Sequence, residues 1–399
     1  MFLIVIAFSL WFSVTLKDLL FCGYRVLLNP FFWASLFVTL YFIIPSFFIA
    51  EINHYFYWAI GPDDILFSHI LVSIFSGLLS VFYFIFSSKN ILKVNSNTSN
   101  NSALLVKFLW FIIFLYVIFA LLISIHKGAF SNAFVYNNEQ VDPFKLKNIA
   151  YILIPISTYC FWHTKRYLVF LPNLIIIVLD LVSGSRTIAM IVLIPIIISI
   201  CFHKRKLYIL PGFLFLAGML LLGVLRSENV VGGVPWYINA IGEFRETYIT
   251  LPLYVTNSDY VGLGGIVEIA ANLNLGILQP LRAEILDNYI FAGSWMANDI
   301  ARGYGLGSNL LTEAIYYGYG NMLLIIIFFF LFLMLNHKLI SILSIQHSLV
   351  LICFLVVFIR LMIREGFYLN FGLLIFILFF YWFPIMYLLK LKPIFKRMH

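Results

Sequence analysis

Six arginines stand in three polar stretches, 183–187, 226–320 and 364–370: Arg186, Arg226, Arg245, Arg282, Arg302 and Arg364. No lysine occurs within 183–187, 226–320 or 364–370. A guanidinium is a planar, permanently charged fork that grips phosphate oxygens two at a time, which an ammonium cannot imitate. The chemistry on offer is therefore recognition of a phosphate or diphosphate. The plainer alternative is pairing with acids, because 226–320 holds nine of them against four arginines. Arg186 and Arg364 stand apart from that alternative, since each lies in a tight turn between two apolar runs.

Ionisable groups inside or beside apolar runs point to function by default. Asp180 lies six residues before Arg186, and Arg360 and Arg364 lie four apart on one helical face, with Glu365 next. These residues either form a polar cluster at the membrane edge or an ion-pair network between helices. A glycine-rich run at 302–308 (RGYGLGS) follows Arg302 and has the backbone freedom to approach a phosphate or sugar. Glu313, Tyr316 and Tyr317 come next at helical spacing, a carboxylate and two aromatic faces of the kind that hold a sugar. Glu313 is the candidate general base, with Glu365 orienting Arg364, whose positive charge would weaken Glu365 as a base. The alternative for Glu313 is a first-turn acid favoured by the helix dipole. Cys22, Cys160, Cys201 and Cys353 all sit in apolar runs without metal-ligand spacing, and no nucleotide-phosphate loop or dinucleotide fingerprint occurs. No metal or cofactor is expected.

These side chains need a frame, and composition dictates it. Of 399 residues, 63% are hydrophobic and 11% charged, with a mean hydropathy of +1.02. Soluble domains are about 45–50% apolar and about 25% charged, so lipid must cover the excess. The expected fold is an all-α polytopic integral membrane protein with about 11 transmembrane helices. Their approximate limits are 2–18, 30–50, 65–87, 104–125, 148–164, 167–183, 187–203, 207–225, 321–337, 346–363 and 371–390. Residues 1–225 form eight spans, 226–320 one long extracytoplasmic loop, and 321–399 three spans with a basic tail. Within the loop, 265–278 reads as an interfacial or re-entrant helix.

The net charge of +8 does not imply nucleic acid, because of where the lysines fall. Starting from a cytoplasmic tail with Lys390, Lys392, Lys396 and Arg397, eleven crossings put Lys338, the HKRK loop at 203–206, Lys165, Lys89 and Lys17 all inside. The N-terminus is then outside, together with the arginine-bearing stretches.

The order of these motifs resembles the O-antigen polymerase (Wzy) family. The resemblance rests on the Ser183–Thr187 run (SGSRT) between two mid-chain spans and on the long outer loop that follows. It rests further on Gly307, Ser308, Glu313, Tyr317, Gly318 and Gly320 entering the next span. An Arg364-Glu365-Gly366 turn before the last span is similar to the related enterobacterial common antigen polymerases. Arg282 and Gly293 match an Arg-x10-Gly pattern of the family. The resemblance implies an inverting glycosyltransferase of the bacterial inner membrane. It would join undecaprenyl-diphosphate-linked oligosaccharide repeat units on the periplasmic face, alongside a chain-length regulator and a flippase. Arg186, Arg282, Arg302, Arg360 and Arg364, with Asp180 and Tyr317, would then bind substrate. Energy resides in the donor diphosphate, so no ATP is needed. Three other readings are an O-antigen ligase, a lipid-linked oligosaccharide transporter and a non-catalytic scaffold. The ligase is disfavoured because 226–320 contains no histidine, and the transporter because the spans hold few charges.

Overall fold

A computed structural model describes residues 1–56, 60–91, 103–128, 144–182, 187–208, 233–256 and 309–384, with a few positions between 217 and 224 and between 269 and 273. Every regular element among them is helical. Six helices are long and apolar enough to cross a membrane, and three shorter apolar helices accompany them. This is an all-helical membrane protein.

The first helices are α1 (Phe2–Cys22), α2 (Pro30–Val38, continued by a π turn at Thr39–Ile43 and by Ile44–Phe47), α3 (Ile49–Phe56) and α4 (Pro62–Ile85). Then come α5 (Ala103–His126), α6 (Leu146–Thr164), α7 (Leu171–Val182) and α8 (Thr187–Lys204). The long polar stretch contributes α9 (Trp236–Ala240), α10 (Gly242–Thr256) and α11 (Leu310–Tyr316). The chain closes with α12 (Tyr319–Ile342), α13 (Ile345–Glu365) and α14 (Phe367–Ile377).

Ten of the eleven expected runs coincide with helices; six of these are long and apolar enough to span, and the fifth run, α6, is in neither that group nor the shorter apolar one. The eighth, 207–225, lies almost wholly outside the described residues. The expected sixth, seventh and eleventh runs appear as the shorter apolar helices, below the length of the six. The largest departure is α10. Reading 226–320 as one outer loop does not anticipate a helix whose Tyr248, Leu251 and Tyr254 are wholly buried. It packs against α2, α4 and α11. The expected helix at 265–278 lies mostly outside the described residues.

The core is built around α13, in which every residue from Gln346 to Ile363 is buried. Its neighbours are α2, α6, α8 and α14, while α8 packs on both α6 and α7. By contrast α5 keeps only 11% of its apolar window inside the protein, as a helix facing lipid would.

The bundle has two chemically different ends. At one, Asp18 meets Tyr83 and Ser88, and Asn29 caps α2 by accepting the Phe31 N–H at 3.0 Å. Lys17 lies over the Phe84 ring at 4.1 Å, Lys89 over Phe21 at 4.5 Å, and Lys204 near Tyr167 at 5.9 Å. At the other end, Thr256 of α10 donates to Asp64 at the start of α4 (3.0 Å). Arg245, Glu313 and Arg364 lie on this second end.

Candidate active site

Asn309 starts the site. Its side-chain oxygen accepts the Thr312 N–H at 2.8 Å, the capping bond that begins a helix. Its Nδ2 donates to the Thr247 carbonyl at 2.7 Å and to Thr250 Oγ1 at 2.8 Å, and the Thr250 and Thr312 hydroxyls meet at 3.0 Å. One residue thus nucleates α11 and fastens it to α10.

Glu313 then points away from α10 towards the turn between α13 and α14. Its carboxylate accepts a very short hydrogen bond from the Phe367 N–H and a longer one, 3.4 Å, from the Tyr368 N–H. These are the free N–H groups at the start of α14, which attract negative charge. Gly366 forms the corner with φ of +112°, and a Cβ there would lie 2.9 Å from Glu313 Oε2. Only glycine tolerates both conditions. Asn370 completes the turn by donating to the Leu361 and Gly366 carbonyls at 3.2 and 2.8 Å. Burial pushes the Glu313 carboxyl up to about 7, against the two N–H groups that favour its charged form.

Arg364 and Glu365 sit on the same turn as an ion pair of 2.8 Å, with side chains 23% and 33% exposed. One helical turn deeper, Arg360 is buried at 2% exposure and donates through Nε to the Tyr41 hydroxyl at 3.0 Å. Tyr41 belongs to the π turn of α2 and stacks edge-on against Phe244 of α10 at 5.0 Å. Such a turn widens the helix locally and recurs at functional positions. Nothing in the local sequence around Tyr41 signals it.

The structure therefore brings Glu313, Arg360, Arg364 and Glu365 to one end of α13. It gives other sequence candidates different duties. Tyr316 and Tyr317 are buried at 3% and 2%, pack on each other at 5.1 Å, and Tyr317 packs on Tyr368 at 5.5 Å. The Tyr317 hydroxyl accepts from Asn272 at 2.5 Å. Neither ring is open to stack a sugar, and Tyr317 supports the Glu313 turn through Tyr368. Asp180 is buried and accepts the Ala189 N–H at 2.7 Å, so its carboxylate caps the start of α8. Arg186, Arg282 and Arg302 lie outside the described residues. The four cysteines are buried.

No family model, no curated protein and no solved structure matches this chain. Its site is read from its own residues.

One feature, the Asn309 cap, escaped the sequence reading although its signal was present, and one expectation, the pairing of Arg245, held. Arg245 is buried at 5% exposure, pairs with Glu246, lies 4.1 Å above the Phe56 ring and donates to the Ile238 carbonyl at 3.4 Å. Pairing with a nearby acid was the plain alternative for this arginine, and that is what is found. Asn309 was legible: an asparagine three residues before Thr312 and four before Glu313 is a helix-start signature.

Proposed function

We propose that the protein is a membrane glycosyltransferase that polymerises lipid-diphosphate-linked oligosaccharide units, working at the arginine-bearing end of the bundle. The observation that carries this reading is the bond from Glu313 to the α13–α14 turn. It ties the 307–320 run to Phe367, the residue that follows the 364–366 run, and the polymerase resemblance rests on these two runs. Eleven spans with the N-terminus outside form part of the proposal, supported by the gathering of Lys17, Lys89 and Lys204 at the opposite end.

In the proposed reaction the acceptor hydroxyl attacks the anomeric carbon of the donor. The bond from that carbon to the diphosphate oxygen breaks, the configuration inverts, and undecaprenyl diphosphate leaves. Arg364, open at the membrane edge and aligned by Glu365, receives the developing negative charge, as electrostatic catalysis requires. Arg186, Arg282 and Arg302 are further candidates for the diphosphate. Glu313 takes the hydroxyl proton, a task suited to a carboxyl whose pKa lies near neutrality. The oxygen that accepts the longer bond from Tyr368 is the one assigned to that proton.

The test is a purified two-substrate assay in proteoliposomes, with chain length read on a gel. A ladder of products supports polymerisation; transfer of one unit to a lipid A core acceptor supports the ligase instead. Reporter fusions after residues 205 and 340 should be cytoplasmic, and those after 185, 260 and 367 periplasmic. A periplasmic signal from the 203–206 loop overturns the sidedness.

A further inference from the structure

With Tyr316 and Tyr317 buried, the aromatic faces and carboxylate suited to a saccharide must be sought elsewhere on the same end. They occur together on α3 and α9. Trp236 is 71% exposed and stands edge-on to Tyr237 at 6.0 Å. Tyr237 packs on Phe48 at 5.8 Å, and its hydroxyl donates to Glu51 at 2.8 Å across 186 residues of chain. Glu51 is itself exposed, and the half-buried Tyr55 lies on the same short helix, one turn along.

The patch is held rigidly from below. Arg245 reaches the Phe56 ring of α3 at 4.1 Å and the Ile238 carbonyl of α9 at 3.4 Å, so one buried guanidinium fastens both halves. Asn53 exchanges two hydrogen bonds with Ile60, at 3.0 and 3.1 Å, and fixes the exit from α3. A positioned indole beside an oriented carboxylate is what a polyol needs: an apolar face for its C–H groups and an acceptor for its hydroxyls.

We infer that Glu51, Tyr55, Trp236 and Tyr237 form a binding platform for a saccharide, the acceptor in the reaction proposed above, and the inference rests on that reading. A lipid-interface belt is the competing use of exposed tryptophan and tyrosine. Two observations favour the saccharide: the Tyr237 hydroxyl is already engaged, and the exposed Glu51 carboxylate repels anionic headgroups.

The full-length protein, labelled with 5-fluorotryptophan and held in phosphatidylethanolamine/phosphatidylglycerol nanodiscs, tests this by fluorine NMR. Trp236→Phe identifies the resonance. The probe is the soluble oligosaccharide fraction released by mild acid from the lipid-linked saccharides of the source cells. The Trp236 resonance should shift saturably, and Glu51→Gln should weaken binding by about tenfold, the loss of one charged hydrogen bond. In a second arm the discs carry nitroxide-labelled acyl chains. A Trp236 signal unmoved by oligosaccharide overturns the platform, and paramagnetic broadening by the labelled lipid then assigns the patch to the membrane interface. Polymer assembly with an unmoved signal removes the platform alone. Binding without polymer assembly keeps the platform and removes the polymerase reading.

Discussion

Two buried carboxylates, Asp18 and Glu313, hold turns at opposite ends of the bundle, and they are satisfied very differently. Asp18 accepts from the Tyr83 hydroxyl at 3.0 Å, the Ser88 hydroxyl at 2.5 Å and the Ser88 N–H at 3.2 Å. Glu313 has two backbone N–H donors, one of them at 3.4 Å, amid tyrosine rings. A carboxylate surrounded by hydroxyl donors is a fixed staple. Burial raises the Glu313 carboxyl to about 7, so it can exchange a proton near neutrality. The two carboxylates differ in their donors, and substitution of each tests what that difference does.

The largest effect expected follows from that contrast. Glu313→Gln keeps the shape but cannot take a proton, so the rate in the purified two-substrate assay should fall by about 10²–10⁴-fold. Asp18→Asn should leave the rate per folded molecule unchanged and lower the melting temperature in detergent, with a stability loss of about 1–3 kcal/mol. If Glu313→Gln polymerises within a few-fold of the unaltered protein, the two carboxylates are both staples.

Arg364→Lys should come next, cutting chain-length ladders by at least about tenfold while protein level stays normal, because charge remains but the fork is lost. A full ladder from that variant removes Arg364 from the donor site. Gly366→Ala should then cost about 1–3 kcal/mol, combining a left-handed backbone with a Cβ 2.9 Å from the Glu313 carboxylate. Its melting temperature should fall, and Glu313→Ala, which makes room, should recover part of that loss.

The last effect is on pH dependence. The Glu313 carboxyl titrates at about 7 when folded against 4.5 for the free group. Between those values the folded protein holds a proton that the unfolded chain releases, so this residue's contribution to stability declines as pH rises from about 4.5 to about 7. Melting temperature followed across that window should slope downwards, and more gently in Glu313→Gln. Catalysis should run the other way and rise through pH 7, since the base must be unprotonated.

How much of this was legible beforehand depends on distance along the chain. Arg360, Arg364 and Glu365 were legible as a group, because four residues on a helix bring side chains to one face. Glu313 was legible as an acid near a helix start. That it caps a helix beginning 54 residues later was not, and Tyr316 and Tyr317 were misread as sugar stackers because exposure is not written in residue type.

The sequence by itself determined that the chain is helical and belongs in a membrane. In lipid every backbone N–H and C=O must be satisfied within its own segment, and long apolar runs can meet that demand only as helices. It also determined that the stretches 183–187, 226–320 and 364–370 carry arginine and no lysine, since that is a property of position alone. Only the tertiary structure decided that α10 is buried, that Tyr41 meets Arg360 across 319 residues, and that Glu51 meets Tyr237 across 186. A polar helix such as α10 enters the bundle because Asn309 and Thr312 of α11 and Asp64 of α4 satisfy its threonines. Such pairings leave no periodic trace in the segments that make them.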